Sequence, residues 1–160
     1  MALKTLSLYP YFRFQEEGCK VEVVGAKAHE TYLGKHGVPL KSDLSPERVK
    51  LEDYDVGIIP GGRAPDVVRT SKALVQIVKD AYAKGKVIAA VCHGPQMLIE
   101  ADILRGRKAA CWKSAVADLR NAGATFVDSP VVIDENLVTS RMPADLPQFC
   151  KEVIKLLKKR

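Results

Sequence analysis

Two short, largely apolar segments constrain the fold of this chain more than any other part of its sequence. They are residues 55–62, DVGIIPGG, and residues 86–91, KVIAAV. Strands that are apolar on both faces occur where helices cover both sides of a parallel sheet. Each segment runs directly into a turn, and open α/β sheets place their sites at the carboxyl ends of their strands. The sequence therefore predicts an α/β fold with a site beyond these strands.

The remaining segments alternate between strand and helix patterns, which is typical of a doubly wound, mostly parallel sheet with helices on both faces. Residues 28–43 indicate an irregular or hairpin excursion, and residues 45–49 a short helical turn. The segment LKTLSL fits either a short strand or the first turns of a helix. The predicted strands are residues 20–25, 55–62, 86–91, 108–112 and three short segments between 124 and 140. The predicted helices are residues 9–17, 65–84, 95–101, 114–123 with Ser114 as N-cap, and 144–158.

The length and composition of the chain fit a single domain. It has 160 residues, of which 47% are hydrophobic and 28% charged, so that it can bury a core. No apolar run is long enough to span a bilayer, and Lys4 and Thr5 interrupt the first apolar residues, so no leader pattern is found. We expect one domain over residues 1–160, located in the cytoplasm and without a membrane partner.

The net charge of the chain is +6. Three positive residues, Lys158, Lys159 and Arg160, end the sequence, where they complement the negative end of a terminal helix. Specific nucleic-acid readers gather basic residues on one element together with aromatic residues or a known module. The sequence has neither feature, and we predict no specific nucleic-acid partner.

The four cysteines are Cys19, Cys92, Cys111 and Cys150. Their spacings include no CxxC and match no zinc pattern, and the chain has only three histidines. Disulfides are not expected in a reducing compartment. We predict no metal site and no cofactor. Cys19, Cys111 and Cys150 have apolar neighbours, which indicates small core residues.

Cys92 differs because it lies between an apolar strand and a predicted helix. In the sequence AAVCHGPQ the strand ends at Cys92, and Gly94 follows two positions later. This is the strand–turn–helix pattern of a nucleophile elbow. A helix N-terminus lowers the pKa of a nearby thiol, and cysteine is nucleophilic as the thiolate. We therefore expect a catalytic Cys92 with a lowered pKa, and the adjacent His93 as its base or imidazolium partner.

The same turn contains groups that can form an oxyanion hole. The backbone N–H of His93 lies where such a donor belongs, and Gly61 and Gly62 allow a second backbone N–H to approach a ligand closely. Each residue also has a purely structural interpretation: a core cysteine, a packing histidine and a plain glycine turn. Asp66, taken alone, fits a first-turn helix acid stabilised by the helix dipole.

Five motifs occur in this chain in the order seen in one known family. They are IIPGGRAPD, AAVCHGPQML, ILRGRKAACW, NAGATFVD and VTSRMPADL. Through them the chain resembles the PfpI family of intracellular cysteine proteases. That family is part of the ThiJ/PfpI superfamily, which has a class I glutamine amidotransferase-like, flavodoxin-like fold. The resemblance extends from YPYFRFQEEG to the last predicted helix.

The resemblance implies a cysteine-dependent hydrolase. Members of the family act on peptides or, as deglycases, on glyoxal- or methylglyoxal-modified proteins, and relatives are described as glyoxalases and stress chaperones. By position, Cys92 matches the family nucleophile and His93 the adjacent histidine. Asp66 matches an acid, usually glutamate, that completes the site from a neighbouring subunit. The resemblance thus implies a homo-oligomer, from dimer to hexamer, acting on a peptide, a glycated protein or a small aldehyde.

Two features depart from the family pattern. Asp66 is one methylene shorter than the usual glutamate, which shortens its reach across an interface. The family begins with a strand followed by a glutamate that hydrogen-bonds the cysteine, whereas this chain has Leu3 and Leu6 in that neighbourhood and no acid before Glu16. We therefore expect the first strand to be short or missing and the thiolate to lack one stabilising group.

Three other functions compete with the hydrolase. A redox-sensing stress chaperone would use oxidation of Cys92 to the sulfinic acid. A glutaminase needs a histidine far downstream of the cysteine, and none follows His93. A nucleotide-binding flavodoxin-like module needs a glycine-rich phosphate loop, which the sequence lacks. The redox-sensing chaperone is the principal alternative.

Overall fold

A four-stranded sheet forms the centre of the molecule. The computed structural model describes residues 5–34 and 37–159. The strands of this sheet are β3 (Val56–Ile59), β4 (Val87–Val91), β7 (Val131–Asp134) and β8 (Leu137–Ser140). They lie in the order β3-β4-β8-β7. The first three are parallel, and β7 runs antiparallel to β8.

Short strands and turns surround the main sheet. An antiparallel hairpin joins β1 (Thr31–Leu33) to β2 (Pro39–Lys41). A second pair, β5 (Lys108–Ala109) and β6 (Thr125–Phe126), is parallel. Turns of 3-10 helix span Pro46–Arg48, Leu51–Asp53, Lys113–Ala115 and Pro143–Asp145.

Helices cover both faces of the sheet. They are α1 (Thr5–Glu16), α2 (Ala64–Val68), α3 (Lys72–Ala83), α4 (Pro95–Glu100), α5 (Val116–Asn121) and α6 (Leu146–Leu157). Buried side chains of α3, α4 and α5 share one apolar cluster, and those of α1 and α6 share another. Because two separate clusters flank one sheet, the molecule has the three-layer arrangement predicted from its apolar strands.

Strand β4 joins the two clusters. All five of its residues are buried. Ile88 and Ala90 belong to the cluster with α3, α4 and α5, while Val87, Ala89 and Val91 belong to the cluster with α1 and α6. Successive side chains of a strand point to opposite faces, so a strand covered on both sides must be apolar throughout. This confirms the α/β fold inferred from residues 86–91.

Most predicted elements are present with shifted ends. Residues 28–43 contain the β1–β2 hairpin, the turn at 45–49 is the 3-10 helix Pro46–Arg48, and the three short strands after residue 124 are β6, β7 and β8. The first helix begins at Thr5 instead of residue 9, so Thr5–Leu8 of LKTLSL are helical and not a strand. Leu6 is buried in α1, whereas Leu3 lies outside the described residues.

Two predicted elements are wrong in extent. Residues 20–25 form no regular strand in the described chain, because their ladder is reduced to a single parallel bridge between Val24 and Leu44. The helix predicted over residues 65–84 is two helices. Ser71 caps the second one by accepting a hydrogen bond from the N–H of Leu74 at 3.4 Å. A serine that bonds the backbone in this way starts a helix instead of continuing one.

The segment after β5 also departs from prediction. The strand predicted over residues 108–112 ends at Ala109, because the next backbone N–H groups bond outside the ladder. That of Ala110 donates to the hydroxyl of Thr139 and that of Trp112 to the carbonyl of Cys92, both at 2.8 Å. Ser114 is not an N-cap: it lies within a 3-10 turn, and the N-cap of α5 is Ala115.

Candidate active site

Cys92 follows β4 directly and has an unusual backbone conformation. Its φ angle is +64°, in the left-handed region that side chains other than glycine rarely adopt. Strand alternation would place its side chain on the same face as Ile88 and Ala90, yet it packs in the cluster with Val91. The left-handed turn therefore reverses the direction of the thiol. Such a conformation costs about 1–3 kcal/mol and persists only where the surroundings enforce it.

Two backbone hydrogen bonds hold Cys92 in this conformation. Its N–H donates to the carbonyl of Ser140 at 2.9 Å, and its carbonyl accepts from the N–H of Trp112 at 2.8 Å. Ser140 is fully buried, and its hydroxyl donates to the carbonyl of Pro130 at 2.7 Å. The cysteine is thus fixed by the end of β8 on one side and by the segment after β5 on the other.

Two glycines allow the chain to pass close to this turn. A Cβ built on Gly61 would lie 2.6 Å from the Cβ of Cys92 and 2.8 Å from the carbonyl oxygen of Val91. A Cβ built on Gly94 would lie 2.6 Å from the carbonyl oxygen of Ile59. All three distances are far below van der Waals contact, so the end of β3 can meet the Cys92 turn only through glycine.

The thiol of Cys92 is buried, with only 6% of the residue exposed. Burial raises its pKa above the ordinary value for cysteine, while hydrogen bonds from the backbone N–H groups of Gly62 and His93 act in the opposite direction. The lowered pKa expected from the helix N-terminus is therefore wrong for this chain: desolvation outweighs the backbone donors. The following helix, α4, has only six residues.

The imidazole of His93 lies between two side chains. Its Nδ1 is 3.4 Å from the Sγ of Cys92, and its Nε2 is 3.2 Å from the Oγ of Ser114. The ring also lies beside the indole of Trp112, with 6.5 Å between ring centroids. Nδ1 is thus placed to take the thiol proton directly, the geometry required of a general base.

The structure brings together four of the five predicted site residues, namely Cys92, His93, Gly61 and Gly62, and shows no polar contact between Asp66 and any of them. Asp66 lies in the first turn of α2 and is exposed. Within the part of the chain that the structure describes, its carboxylate makes no hydrogen bond or ion pair. Its predicted role across a subunit interface stays a prediction.

The other cysteines have no comparable surroundings. All four thiols are free. Burial raises the pKa of Cys111 to about 11 and that of Cys150 to about 12. Across residues 5–34 and 37–159, no group of three or more His, Cys, Asp and Glu residues could hold a metal ion. In the same ranges no helix is long and apolar enough to cross a membrane.

Sequence reasoning missed three residues of the site: Trp112, Ser114 and Ser140. Trp112 and Ser140 lie within two of the quoted motifs, ILRGRKAACW and VTSRMPADL, but they bond Cys92 through backbone groups, which sequence patterns do not reveal. The sequence predicts Ser114 as a helix cap, because serine before a helical pattern usually has that role.

The arrangement places a nucleophile, a base and two backbone donors around one point. The sulfur is the only soft nucleophile of the group, and His93 is its neighbouring proton acceptor. The N–H groups of Gly62 and His93 already point at the sulfur, so they are near any oxygen of a group bonded to it. These groups can catalyse the addition of the thiol to a carbonyl carbon.

Comparison with known proteins identifies a family whose members this chain resembles over most of its length. Residues 7–156 match the DJ-1/PfpI family. The chain is 44% identical over 151 residues to a deglycase of Pyrococcus horikoshii, covering 94% of this chain and 90% of that protein. It is 41% identical over 150 residues to protein/nucleic acid deglycase 2 of Escherichia coli, covering 92% of this chain and 87% of that protein.

A solved structure has nearly the same fold. A two-domain protein of Anabaena variabilis, with DJ-1/ThiJ/PfpI-like and ferritin-like domains, superimposes with a TM-score of 0.95 and 38% sequence identity. The match covers 98% of this chain and 45% of that longer protein. The flavodoxin-like, doubly wound architecture expected from the motifs is thereby confirmed.

Replacing Gly61 with alanine tests the close approach between β3 and the Cys92 turn. The added methyl group would overlap Cys92 and Val91, so we expect Gly61→Ala to lower the free energy of unfolding by about 1–3 kcal/mol and to slow alkylation of Cys92. The matched control is Gly34→Ala, because a Cβ there meets only the carbonyl oxygen of Val38 at an ordinary 3.5 Å. Urea unfolding and iodoacetamide labelling measure both effects. Equal behaviour of the two variants would refute the packing argument.

The pH dependence of thiol alkylation tests the balance around Cys92. Because burial raises the pKa of Cys92, its thiolate forms at a higher pH than that of a solvated cysteine. The rate of iodoacetamide labelling of Cys92 should therefore rise at a higher pH than the rate for N-acetylcysteine. Cys92 should still react before Cys111 and Cys150, since it alone among these three is bonded by two backbone N–H groups. Peptide mass spectrometry resolves the three sites. If the labelling rate of Cys92 rose at a lower pH than that of N-acetylcysteine, desolvation would not be the dominant effect on the pKa of Cys92.

Proposed function

This chain belongs to the DJ-1/PfpI family, and on that premise we propose that it is a cysteine-dependent hydrolase that removes glyoxal- or methylglyoxal-derived groups from proteins, with Cys92 as the nucleophile. One observation carries the proposal. Cys92 is held in a left-handed turn with its sulfur 3.4 Å from the Nδ1 of His93 and hydrogen-bonded by two backbone N–H groups. A core cysteine needs neither the strained backbone nor the adjacent base.

The first step of the proposed reaction is the addition of the thiol to a carbonyl carbon. The Sγ proton of Cys92 passes to Nδ1 of His93 while the sulfur–carbon bond forms. The electron pair of the carbonyl moves to its oxygen, giving an oxyanion that accepts hydrogen bonds from the N–H groups of Gly62 and His93. Gly61 contributes by letting the Gly62 segment approach this close.

The net reaction consumes one water molecule and involves no oxidant or reductant. A methylglyoxal adduct on a protein amine is a carbinolamine with a neighbouring ketone. The carbinolamine releases the free amine, with the proton of its hydroxyl group transferred to the leaving nitrogen through His93, and the aldehyde carbon thus formed adds the sulfur of Cys92 to give a hemithioacetal. The hydrogen on that carbon then moves as a proton to the neighbouring ketone carbon through an enediol, which oxidises the first carbon to a thioester and reduces the second to an alcohol. Water hydrolyses the thioester to lactate and restores the thiol. The enzyme-bound intermediate is a hemithioacetal or thioester on Cys92.

The raised pKa of Cys92 supports a glyoxal adduct over an ordinary peptide bond as substrate. A thiol whose pKa is raised by burial depends on His93 to take its proton during attack. The carbonyl group of an aldehyde or ketone is more electrophilic than that of an amide, so it suits such a nucleophile better. The names of the Pyrococcus horikoshii and Escherichia coli relatives, both deglycases, support the same substrate class.

The proposal includes a homo-oligomer in which Asp66 of one protomer approaches the site of its partner. Asp66 is exposed and makes no polar contact with the described residues of its own chain. Its neighbour Val67 is 68% exposed, an apolar side chain beside the carboxylate. Both side chains are therefore accessible to a second copy of the chain at α2, and the match of Asp66 to the family acid supports an interface there.

Replacement of the nucleophile tests the function. Release of lactate and free amine from a methylglyoxal-treated peptide should fall at least about a thousandfold in Cys92→Ser, because the chain then lacks the atom that bonds to the carbonyl carbon. His93→Gln should lower the rate about a hundredfold or more through loss of the base. The unmodified peptide serves as the competing substrate for peptidase activity.

The matched control is Cys19→Ser, a half-buried free cysteine outside the site. It should keep the wild-type rate. An unchanged rate in Cys92→Ser would eliminate the proposed mechanism, and cleavage of the unmodified peptide at the faster rate would assign the enzyme to peptide bonds instead.

A further inference from the structure

Ser114 makes an unexpected contact with the candidate site. Serine before a helix usually caps it, but the N-cap of α5 is Ala115, and Ser114 makes no cap hydrogen bond to that helix. Its Oγ lies instead 3.2 Å from Nε2 of His93, on the side of the ring opposite Cys92. The side chain is exposed, so packing alone does not require a hydroxyl at this position.

We propose that Ser114 is a positioning residue that holds His93 in the tautomer competent to act as a base; this rests on the proposed function of Cys92 and His93. A neutral imidazole has one protonated and one unprotonated nitrogen. To accept the Cys92 proton, Nδ1 must carry the lone pair, so Nε2 must carry the hydrogen. An acceptor placed at Nε2 stabilises that tautomer, and the Ser114 oxygen is such an acceptor.

The backbone fixes Ser114 relative to Cys92. The N–H of Trp112 donates to the carbonyl of Cys92 at 2.8 Å, and the N–H of Ala115 donates back to the carbonyl of Trp112 at 2.9 Å. The 3-10 turn that carries Ser114 is therefore bonded to the residue whose thiol is to be activated. Cys92, His93 and Ser114 form one hydrogen-bonded series, Sγ to Nδ1 and Nε2 to Oγ, within a single chain.

Ser114 provides a polar partner for Nε2 of His93, which Asp66 of the same chain does not. Polar partners beyond a catalytic histidine fix its ring orientation and its tautomer. Among the described residues, Ser114 is the only side chain hydrogen-bonded to Nε2 of His93, whereas Asp66 makes no polar contact. After proton transfer the imidazolium still donates from Nε2 to the Ser114 oxygen, so the contact persists throughout the step.

The test compares Ser114→Ala, Ser114→Thr and the control Ser45→Ala in the full chain. Ring ¹⁵N shifts report the tautomer of His93, and the chain has only three histidines to distinguish. We expect Ser114→Ala to shift His93 toward the tautomer protonated on Nδ1 and to slow alkylation of Cys92 at neutral pH about 3- to 10-fold. Ser114→Thr, which keeps a hydroxyl, should restore both readouts, and Ser45→Ala should change neither.

Two results would overturn the proposal. One is a Ser114→Ala variant with unchanged ¹⁵N shifts and an unchanged alkylation–pH curve, whether or not its melting temperature falls. The other is a tautomer shift in Asp66→Asn but not in Ser114→Ala, which would show that the Asp66 carboxylate, and not Ser114, sets the tautomer of the His93 ring. Neither readout uses a substrate. A wild-type protein inactive on glycated peptides would therefore contradict the proposed substrate, while these two readouts would still decide whether Ser114 sets the tautomer of His93.

Discussion

The left-handed backbone of Cys92 is the constraint on which the rest of the site depends. It places the thiol on the opposite face from the one that strand alternation would give, and directs it toward the neighbouring base and backbone donors. Its conformational cost of about 1–3 kcal/mol is offset by hydrogen bonds to Ser140 and Trp112, at 2.9 and 2.8 Å. These partners come from β8 and from the segment after β5, so the sheet must be assembled before the turn is stable. Fold and site are thus energetically coupled at one residue.

Two opposing effects act on the sulfur. Burial disfavours the thiolate, and the N–H groups of Gly62 and His93 favour it. Because burial is the larger effect, the pKa of the thiol lies above its ordinary value, and in the proposed mechanism Nδ1 of His93, at 3.4 Å, receives the proton during attack. Oxidation of cysteine begins at the thiolate, so the same rise in pKa also slows the oxidation of Cys92 to the sulfinic acid.

The apolar strands could be identified from sequence because burial on both faces leaves no polar position in residues 87–91. The elbow at Cys92 was equally recognisable, since small residues must follow a turned nucleophile. The raised pKa of Cys92 was not predictable, because it depends on how strongly desolvation by distant segments opposes the hydrogen bonds from the backbone N–H groups. Likewise, the hydroxyl of Ser114 can cap a helix or bond a histidine, and the choice is made by a turn of 3-10 helix that no local pattern specifies. Both the pKa of Cys92 and the partner of the Ser114 hydroxyl depend on segments that are distant in the sequence.

The measurement that tests the central claim most directly is a crystal structure of the protein after reaction with a peptide aldehyde, which forms a stable hemithioacetal with a nucleophilic thiol. We expect an adduct on Cys92 whose oxygen lies about 2.7–3.1 Å from the backbone nitrogens of both Gly62 and His93. An adduct confined to another cysteine, or an oxygen turned away from both nitrogens, would contradict the assignment of this turn as the active site.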